Sequence, residues 1–376
     1  MLTMEKFINK VSVKSSLSAL GWDQKKLADV LGVSGQAVTN WMKGEDFPRP
    51  NKLLKLATTL GLSFDELVIQ SAKQPIVAFR KKGGSITTDE HLLNASSMGS
   101  LLKSLVKFLP ESNALRTQIQ SPSLEYEKLQ AAAAEVRSRI GIGSQAVLEY
   151  LQLINEFDTN GAVIIPVMWG NKQNHGNALH ILLPEEKATF IYLNLDTHLE
   201  DFKFWMAHEL AHVYTPDLAG TDEGEDYADA FAGALLFPKD IAIEVYSKCV
   251  SISNKQHEIA IMRRYANTHE ISLYSVYCEV IKYANALKLP PLKVTNKDIH
   301  AIRNSVRGSL VSHALFAPSQ PDASSYIAAS HAVFKSNFFN SLKIMLKDFH
   351  TGSGYVQQLL DISLKDATAL HKELVS

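Results

Sequence analysis

The stretch His208-Glu209-Leu210-Ala211-His212 has the residue types and spacing for metal-assisted hydrolysis. On a helix, residues four apart share one face, so both imidazoles can address the same ion. Glu209 follows the first histidine and can reach a water on that ion, where a carboxylate serves as general base. Two histidine ligands beside a carboxylate form the working core of a zinc hydrolase. On the pentapeptide alone, a buried helix whose histidines are satisfied by hydrogen bonds is the competing reading.

A hydrolytic zinc site usually has three protein ligands and one open position for water. No third histidine follows at short spacing. Thirteen residues beyond His212 comes Glu225, which opens EDYADAFAGALLFP and can bind the metal. Asp229 lies four residues on and shares its helical face. It can accept a hydrogen bond from a ligand imidazole and so fix the tautomer. Asp222, Glu223 and Asp226 read as a solvated helix start. The same bland reading competes for the whole acidic cluster. Tyr214, Tyr227, His175 and His180 are candidates for stabilising a transition state by residue type only, and packing or surface roles suit each of them better.

Three elements must position these groups. Residues 202–212 are apolar at helical spacing, with Phe204, Ala207, Leu210 and Ala211 expected to face inward, and Pro216 and Asp217 end the helix. Upstream, Ala188 to Asp196 reads as a strand rich in β-branched and aromatic residues. Downstream, an acidic first turn, an Ala-rich middle and Pro238 mark a second helix.

AHELAH followed by E-x-x-A-D-x-F-A-x-x-L-L-x-P resembles the ImmA/IrrE family of metallopeptidases. The matching residues are Glu225, Ala228, Asp229, Phe231, Ala232, Leu235, Leu236 and Pro238. Tyr227 stands where the family carries a second glutamate, so the resemblance leaves the ligand role to Glu225. Ala211 replaces the usual Gly, and Phe237 the usual Met. Upstream the resemblance extends through Asn194 and through VRSRIGIGSQAVLEYLQLINEFDTNGAVIIPV, and it covers roughly residues 126–285. It implies a zincin-like fold and attack of water on a peptide carbonyl, with zinc as Lewis acid and Glu209 as general base. Zinc suits two histidines, a carboxylate and an open position, although manganese or iron fits the same set.

Residues 15–67 read as a run of short helices. Asp23 caps Gln24–Leu31, with Leu27, Ala28 and Leu31 inward, and Gly32 breaks it. Ser34 caps the next helix, whose core positions are Val38, Trp41 and Met42, and Lys43-Gly44 closes it. Pro48 and Pro50 punctuate before Leu53–Leu60. Two helices about a tight glycine turn make the helix-turn-helix layout. The run resembles the Xre/Cro family through Gln24, Leu27, Ala28, Leu31, Gly32, Val33, Ser34, Val38 and Trp41. By that resemblance Gln36, Ala37, Thr39, Asn40 and Lys43 face DNA; Gln24, at a helix N-terminus, can contact a phosphate, and Ser34 is counted with the DNA-binding residues. Gln and Asn can bond adenine bidentately, and Thr or Ala can touch a thymine methyl. The competing reading is a helical interaction module that has lost DNA binding.

Charge agrees with a nucleic-acid partner at the front. Residues 1–82 hold 13 Lys and Arg against 7 Asp and Glu, whereas the whole chain has a formal net charge of −1. The expected partners are operator DNA, read by a homodimer, and a protein substrate, with no membrane. The longest clean apolar stretch, AFAGALLF, is far too short to span a bilayer. MLTMEKFINK lacks the apolar core of a signal peptide. Only Cys249 and Cys278 are present, which suits a reducing compartment, so the expected location is cytoplasmic.

The expected fold is α+β and mostly helical. Residues 1–70 form a five-helix-type helix-turn-helix domain, and 71–125 a linker with a Gly83-Gly84 loop and an amphipathic helix grouping Leu101, Leu102, Leu105 and Phe108. Residues 126–288 form the zincin-like domain with a small sheet, and 289–376 a helical C-terminal extension. The functional expectation is a DNA-binding zinc endopeptidase, latent or narrow in specificity. It would cleave a helix-turn-helix repressor and so derepress stress or mobile-element genes. The alternative is a DNA-binding regulator whose peptidase-like domain is a sensor or dimerisation body without turnover. An antitoxin-like regulator with a dispensable metal site is a further reading.

Overall fold

Polar caps and glycines cut the front of the chain into helices. Strand β1 (Lys6–Ile8) leads into α1 (Lys10–Leu20). Asp23 accepts a hydrogen bond from the Lys26 amide at 2.7 Å and starts α2 (Gln24–Leu31). Gly32, at φ +65, ends α2 in the left-handed conformation that a Cβ disfavours. The Ser34 hydroxyl accepts from the Ala37 amide at 3.1 Å and starts α3 (Gly35–Lys43). Helix α4 (Pro50–Leu60) begins with proline at its first position, and the single turn α5 (Phe64–Leu67) opens with a Ser63–Glu66 capping box. Strand β2 (Val68–Gln70) returns antiparallel to β1, with Phe7 opposite Ile69. Leu27, Leu31, Val38, Trp41, Leu56 and Leu60 form the centre of this unit's own core.

This computed structural model describes residues 6–43, 46–70, 75–78, 89–110, 116–169, 177–251, 254–305 and 308–376. The chain divides into two compact units, Met1–Gln74 and Pro75–Ser376. The Gly44 of the expected helix stop, the Gly83-Gly84 loop and His175 lie outside the described residues.

The second unit is built on a four-stranded sheet. Its strands are β3 (Ile76–Ala78), β4 (Ala162–Val167), β5 (Ala178–Leu183) and β6 (Ala188–Asn194), in the order β3-β5-β6-β4. The β3–β5 and β5–β6 pairs are antiparallel, and β4–β6 is parallel. Every side chain of β5 and β6 is buried, so both faces of the sheet are covered. Before β4 run α6 (Asp89–Val106), α7 (Tyr126–Ile140) and α8 (Tyr150–Thr159). After β6 comes α9 (Leu199–Tyr214), the helix of the histidine pair. A 3-10 turn (Pro216–Leu218) leads on to α10 (Asp222–Leu236). Three further helices, α11 (Lys239–Ser251), α12 (Lys255–His269) and α13 (Leu273–Ala286), pack on one another, and α13 also meets α10.

The chain ends in α14 (Asn296–Ser305), α15 (Val311–Phe316), α16 (Ala323–Phe334), α17 (Phe338–Phe349), α18 (Ser353–Leu360) and α19 (Leu364–Val375). Strand side chains alternate between faces, so neighbours on β5 separate the two covering layers. His180 faces α9, whereas Ile181 faces α6, where the Cβ position of Gly99 lies 3.2 Å from Ile181 Cγ2. Tyr192 points to that second face and donates to the Leu359 carbonyl of α18 at 2.9 Å. Trp169 donates to Leu360 O at 2.8 Å and stacks on Tyr192. Tyr326 and Ser336 donate to the β4 carbonyls of Pro166 and Ile164. The C-terminal helices and α6 thus form the layer opposite α9. Leu102 and Leu105 of α6 are fully buried there, Leu101 is half-buried, and Phe108 meets Phe349 edge-on at 5.5 Å. No described helix is long and apolar enough to cross a membrane.

Candidate metal centre and DNA-facing helix

Helix α9 lies between the sheet and α10, and its residues from Trp205 to Tyr214 are all buried. Ala207, Leu210 and Ala211 are inside as expected, but Phe204 is only half-buried. A single inward stripe does not describe a helix covered on two sides. The turn that brings α10 back onto α9 is tight: a Cβ at Gly224 would sit 2.1 Å from the Leu218 carbonyl oxygen. Thr221 caps α10 by accepting from the Gly224 amide at 3.0 Å.

This turn seats Glu225 against both histidines. His208 Nε2 lies 3.4 Å from Glu225 Oε2, His212 Nε2 lies 3.3 Å from Glu225 Oε1, and the two Nε2 atoms are 3.2 Å apart. Donors at about 2.0–2.1 Å from a tetrahedral ion are separated by about 3.3–3.4 Å. The two Nε2 atoms stand near that spacing, and Glu225 reaches them with different oxygens, Oε2 to His208 and Oε1 to His212, with one ligand atom from each residue within 4.8 Å of the others. The opposite nitrogen of His208 is 2.9 Å from Asp229 Oδ1, so an Nδ1–H donated there leaves Nε2 as a lone pair aimed at the cluster.

Electrostatics ask for positive charge at the same point. Burial opposes charge on His208, but its hydrogen bonds to Asp229 and Glu225 overcome this and raise its pKa to about 9. Burial also opposes the Glu225 charge, yet the two imidazoles hold its carboxyl down to about 2. His212 is lowered by burial. Two buried imidazole lone pairs at 3.2 Å repel unless a proton or a cation lies between them. A bound divalent ion would take the place of the His208 proton.

Glu209 is buried beside this trio, with its Oε2 atom 3.8 Å from Nδ1 of His180. Sequence reasoning left His180 among packing residues, yet the fold brings it to the site. Its ring lies 5.4 Å from that of His212, and burial holds it neutral, well below the usual histidine range. Its Nδ1 has no hydrogen-bond partner among the described residues. The signal was a lone polar side chain in the otherwise apolar strand ALHILL. Tyr214 is engaged elsewhere: its hydroxyl donates to Glu156 at 2.6 Å and accepts from Arg139 at 2.9 Å. Tyr227 stacks on Phe231.

In the first unit, Gln36 and Lys43 are exposed on α3, and Ala37, Thr39 and Asn40 are half-buried beside them. Gln36 Nε2 donates to Asn40 Oδ1 at 2.7 Å, and Thr39 Oγ1 donates to Gly35 O at 3.0 Å. Ser34 is exposed but serves as the cap of α3, and Gln24 is half-buried in the first turn of α2. Lys52 Nζ donates to the Leu31 and Gly32 carbonyls at 2.8 and 3.1 Å, which closes the turn between the two helices.

Residues 17–67 match the family model described as helix-turn-helix, and residues 161–276 match that of the IrrE N-terminal-like domain. The chain joins a helix-turn-helix domain to an IrrE-like peptidase domain. The second match spans β4, β5, β6 and α9 to α12, and so takes in every candidate metal ligand. No curated protein and no solved structure matches the chain. The expected pairing of an Xre-type regulator with an ImmA/IrrE-type domain therefore holds, as does the mostly helical α+β fold.

Proposed function

We propose that the chain is a DNA-bound, zinc-dependent endopeptidase of the cytoplasm. It cleaves a helix-turn-helix repressor and thereby derepresses stress or mobile-element genes. The observation that carries this reading is the buried convergence of His208, His212 and Glu225, one ligand atom from each within 4.8 Å of the others, with Glu209 alongside. These three side chains would hold the metal, with Asp229 orienting His208. The ion would polarise the substrate carbonyl and lower the pKa of the attacking water. Glu209 takes the proton from that water as it attacks the peptide carbonyl, then passes it to the departing amine as the C–N bond breaks. The domain pairing supports a regulator that reads DNA, with Gln24, Ser34, Gln36, Ala37, Thr39, Asn40 and Lys43 as its contact surface and a homodimer to span two half-sites.

The test uses metal-loaded protein and the repressor encoded beside it. Wild-type chain is expected to cut the repressor, while Glu209→Gln keeps metal and operator binding but loses cleavage by at least about 100-fold. Undiminished proteolysis by Glu209→Gln would sink the mechanism. Purified protein is also expected to carry one zinc per chain, lost in His208→Ala/His212→Ala. Protein that takes up no metal at all would leave a DNA-binding regulator without turnover.

A further inference from the structure

The sheet edge beside the metal centre is already occupied. The matched IrrE-like domain supplies β4, β5 and β6, whose order leaves β5 as one of its two outer strands. Strand β3 lies before that domain and adds itself antiparallel to β5, with Ile76 opposite Leu182, Val77 opposite Ile181 and Ala78 opposite His180. His180 is the β5 residue whose ring nitrogen lies 3.8 Å from Glu209. Whatever pairs with β5 at that register therefore runs alongside the candidate general base. The turn between α9 and α10 borders the strand from another side. A Cβ at Gly220 would lie 3.1 Å from Ile76 Cγ2 and 3.1 Å from the Val77 carbonyl oxygen. Ile76–Ala78 thus sits in a slot shaped for an extended backbone.

An open sheet edge beside a peptidase centre is a template for an extended peptide, because its unpaired N–H and C=O groups bond any strand laid against it. We infer that the β5 edge is the track for an extended substrate segment and that Ile76–Ala78 is its displaceable resident. The inference rests on the peptidase reading of the site. Three residues form few ladder bonds, and Ile76 and Val77 are only half-buried, so local opening of β3 costs little. Tethering keeps the resident at an effective concentration on the order of millimolar, which a competing segment must match. The competitor that fits is an extended stretch of small and β-branched apolar residues, because the slot holds Ile-Val-Ala.

The test is a binding experiment on full-length Glu209→Gln chain loaded with zinc alone. The probe is a fluorescein-labelled peptide of the Pro75–Ala78 sequence flanked by glycines. Adding Val77→Pro is expected to expose to hydrogen exchange those β5 amides that point towards β3, leaving the alternate ones bonded to β6, and to tighten probe binding at least tenfold. The bound probe then restores protection of the β3-facing amides. Exchange that ignores Val77→Pro, or a probe that does not bind once the amides are exposed, overturns the inference. A second variant covers misfolding. Ile76→Cys/Leu182→Cys places two thiols on ladder partners, close enough for a disulfide. Oxidation is expected to abolish probe binding and reductant to restore it, and equal binding in both states also overturns the inference. Cleavage plays no part in these readouts. Failure of the wild type to cut any substrate would count against the peptidase reading and leave the binding result standing.

Discussion

At the residue scale, the site is a charge problem solved by spacing. Two imidazole nitrogens 3.2 Å apart, with a different Glu225 oxygen 3.4 Å from one and 3.3 Å from the other, gather two lone pairs and a carboxylate where a cation would relieve the repulsion. Asp229 acts one step removed, on His208 Nδ1 at 2.9 Å. Asp229→Ala is therefore expected to weaken zinc affinity by about 10–100-fold while leaving the three ligands in place, as read by chelator competition. An unchanged affinity would make Asp229 a surface residue. On the DNA side, Lys43 is exposed in the last turn of α3. Lys43→Ala is expected to weaken binding to all sequences alike and to lower the slope of log affinity against log salt by about 1. A selective loss at one operator base would instead make Lys43 a base reader.

At the element scale, the histidine pair was legible because its spacing is local, and the cap signals of Asp23, Ser34 and Pro50 were legible for the same reason. The covering of α9 was not, because burial on two sides removes the amphipathic stripe that periodicity detects. His180 was discounted since nothing along the chain says which face of β5 meets α9. The α9–α10 turn is the element that assembles the centre. Gly224→Ala places a methyl 2.1 Å from Leu218 O, and the contact is with backbone, which cannot rotate away. The expected cost is about 3 kcal/mol, at the upper end of the usual range for overpacking, together with lower zinc occupancy because Glu225 is the next residue. Thermal denaturation and zinc titration of the variant check both.

At the scale of the whole molecule, the C-terminal helices are a structural layer. Tyr192 and Trp169 send hydrogen bonds to Leu359 and Leu360, more than 160 positions along the chain. Truncation after residue 320 uncovers that face of the sheet. It is expected to abolish cooperative unfolding of the second unit and leave a separate transition from the first, measured by calorimetry. His269, packed on Phe237, is an expected source of acid sensitivity. Burial, with Arg137 and Lys203 nearby, lowers its pKa to about 4. The unfolded chain binds this proton near pH 6.5, so the stabilisation is complete above that pH. It declines as pH falls towards 4, by up to about 3 kcal/mol. His269→Gln is expected to flatten the decline in urea midpoints between pH 7 and pH 4.5, and an unchanged slope would point to other groups.

The sequence by itself determined the chemistry on offer and most of the helices that carry it, because caps, breakers and i, i+4 pairs act within a few residues. The HELAH pair, the acidic second helix and the helix-turn-helix run are all of this kind. Only the tertiary structure decided what meets what: Glu225 against both imidazoles, Asp229 behind one of them, His180 beside Glu209, Ile76–Ala78 on the β5 edge, and the last helices over the far face of the sheet. Those contacts join segments tens to hundreds of residues apart. They follow from the closing of one shared core, in which each element's buried face is defined by its neighbours.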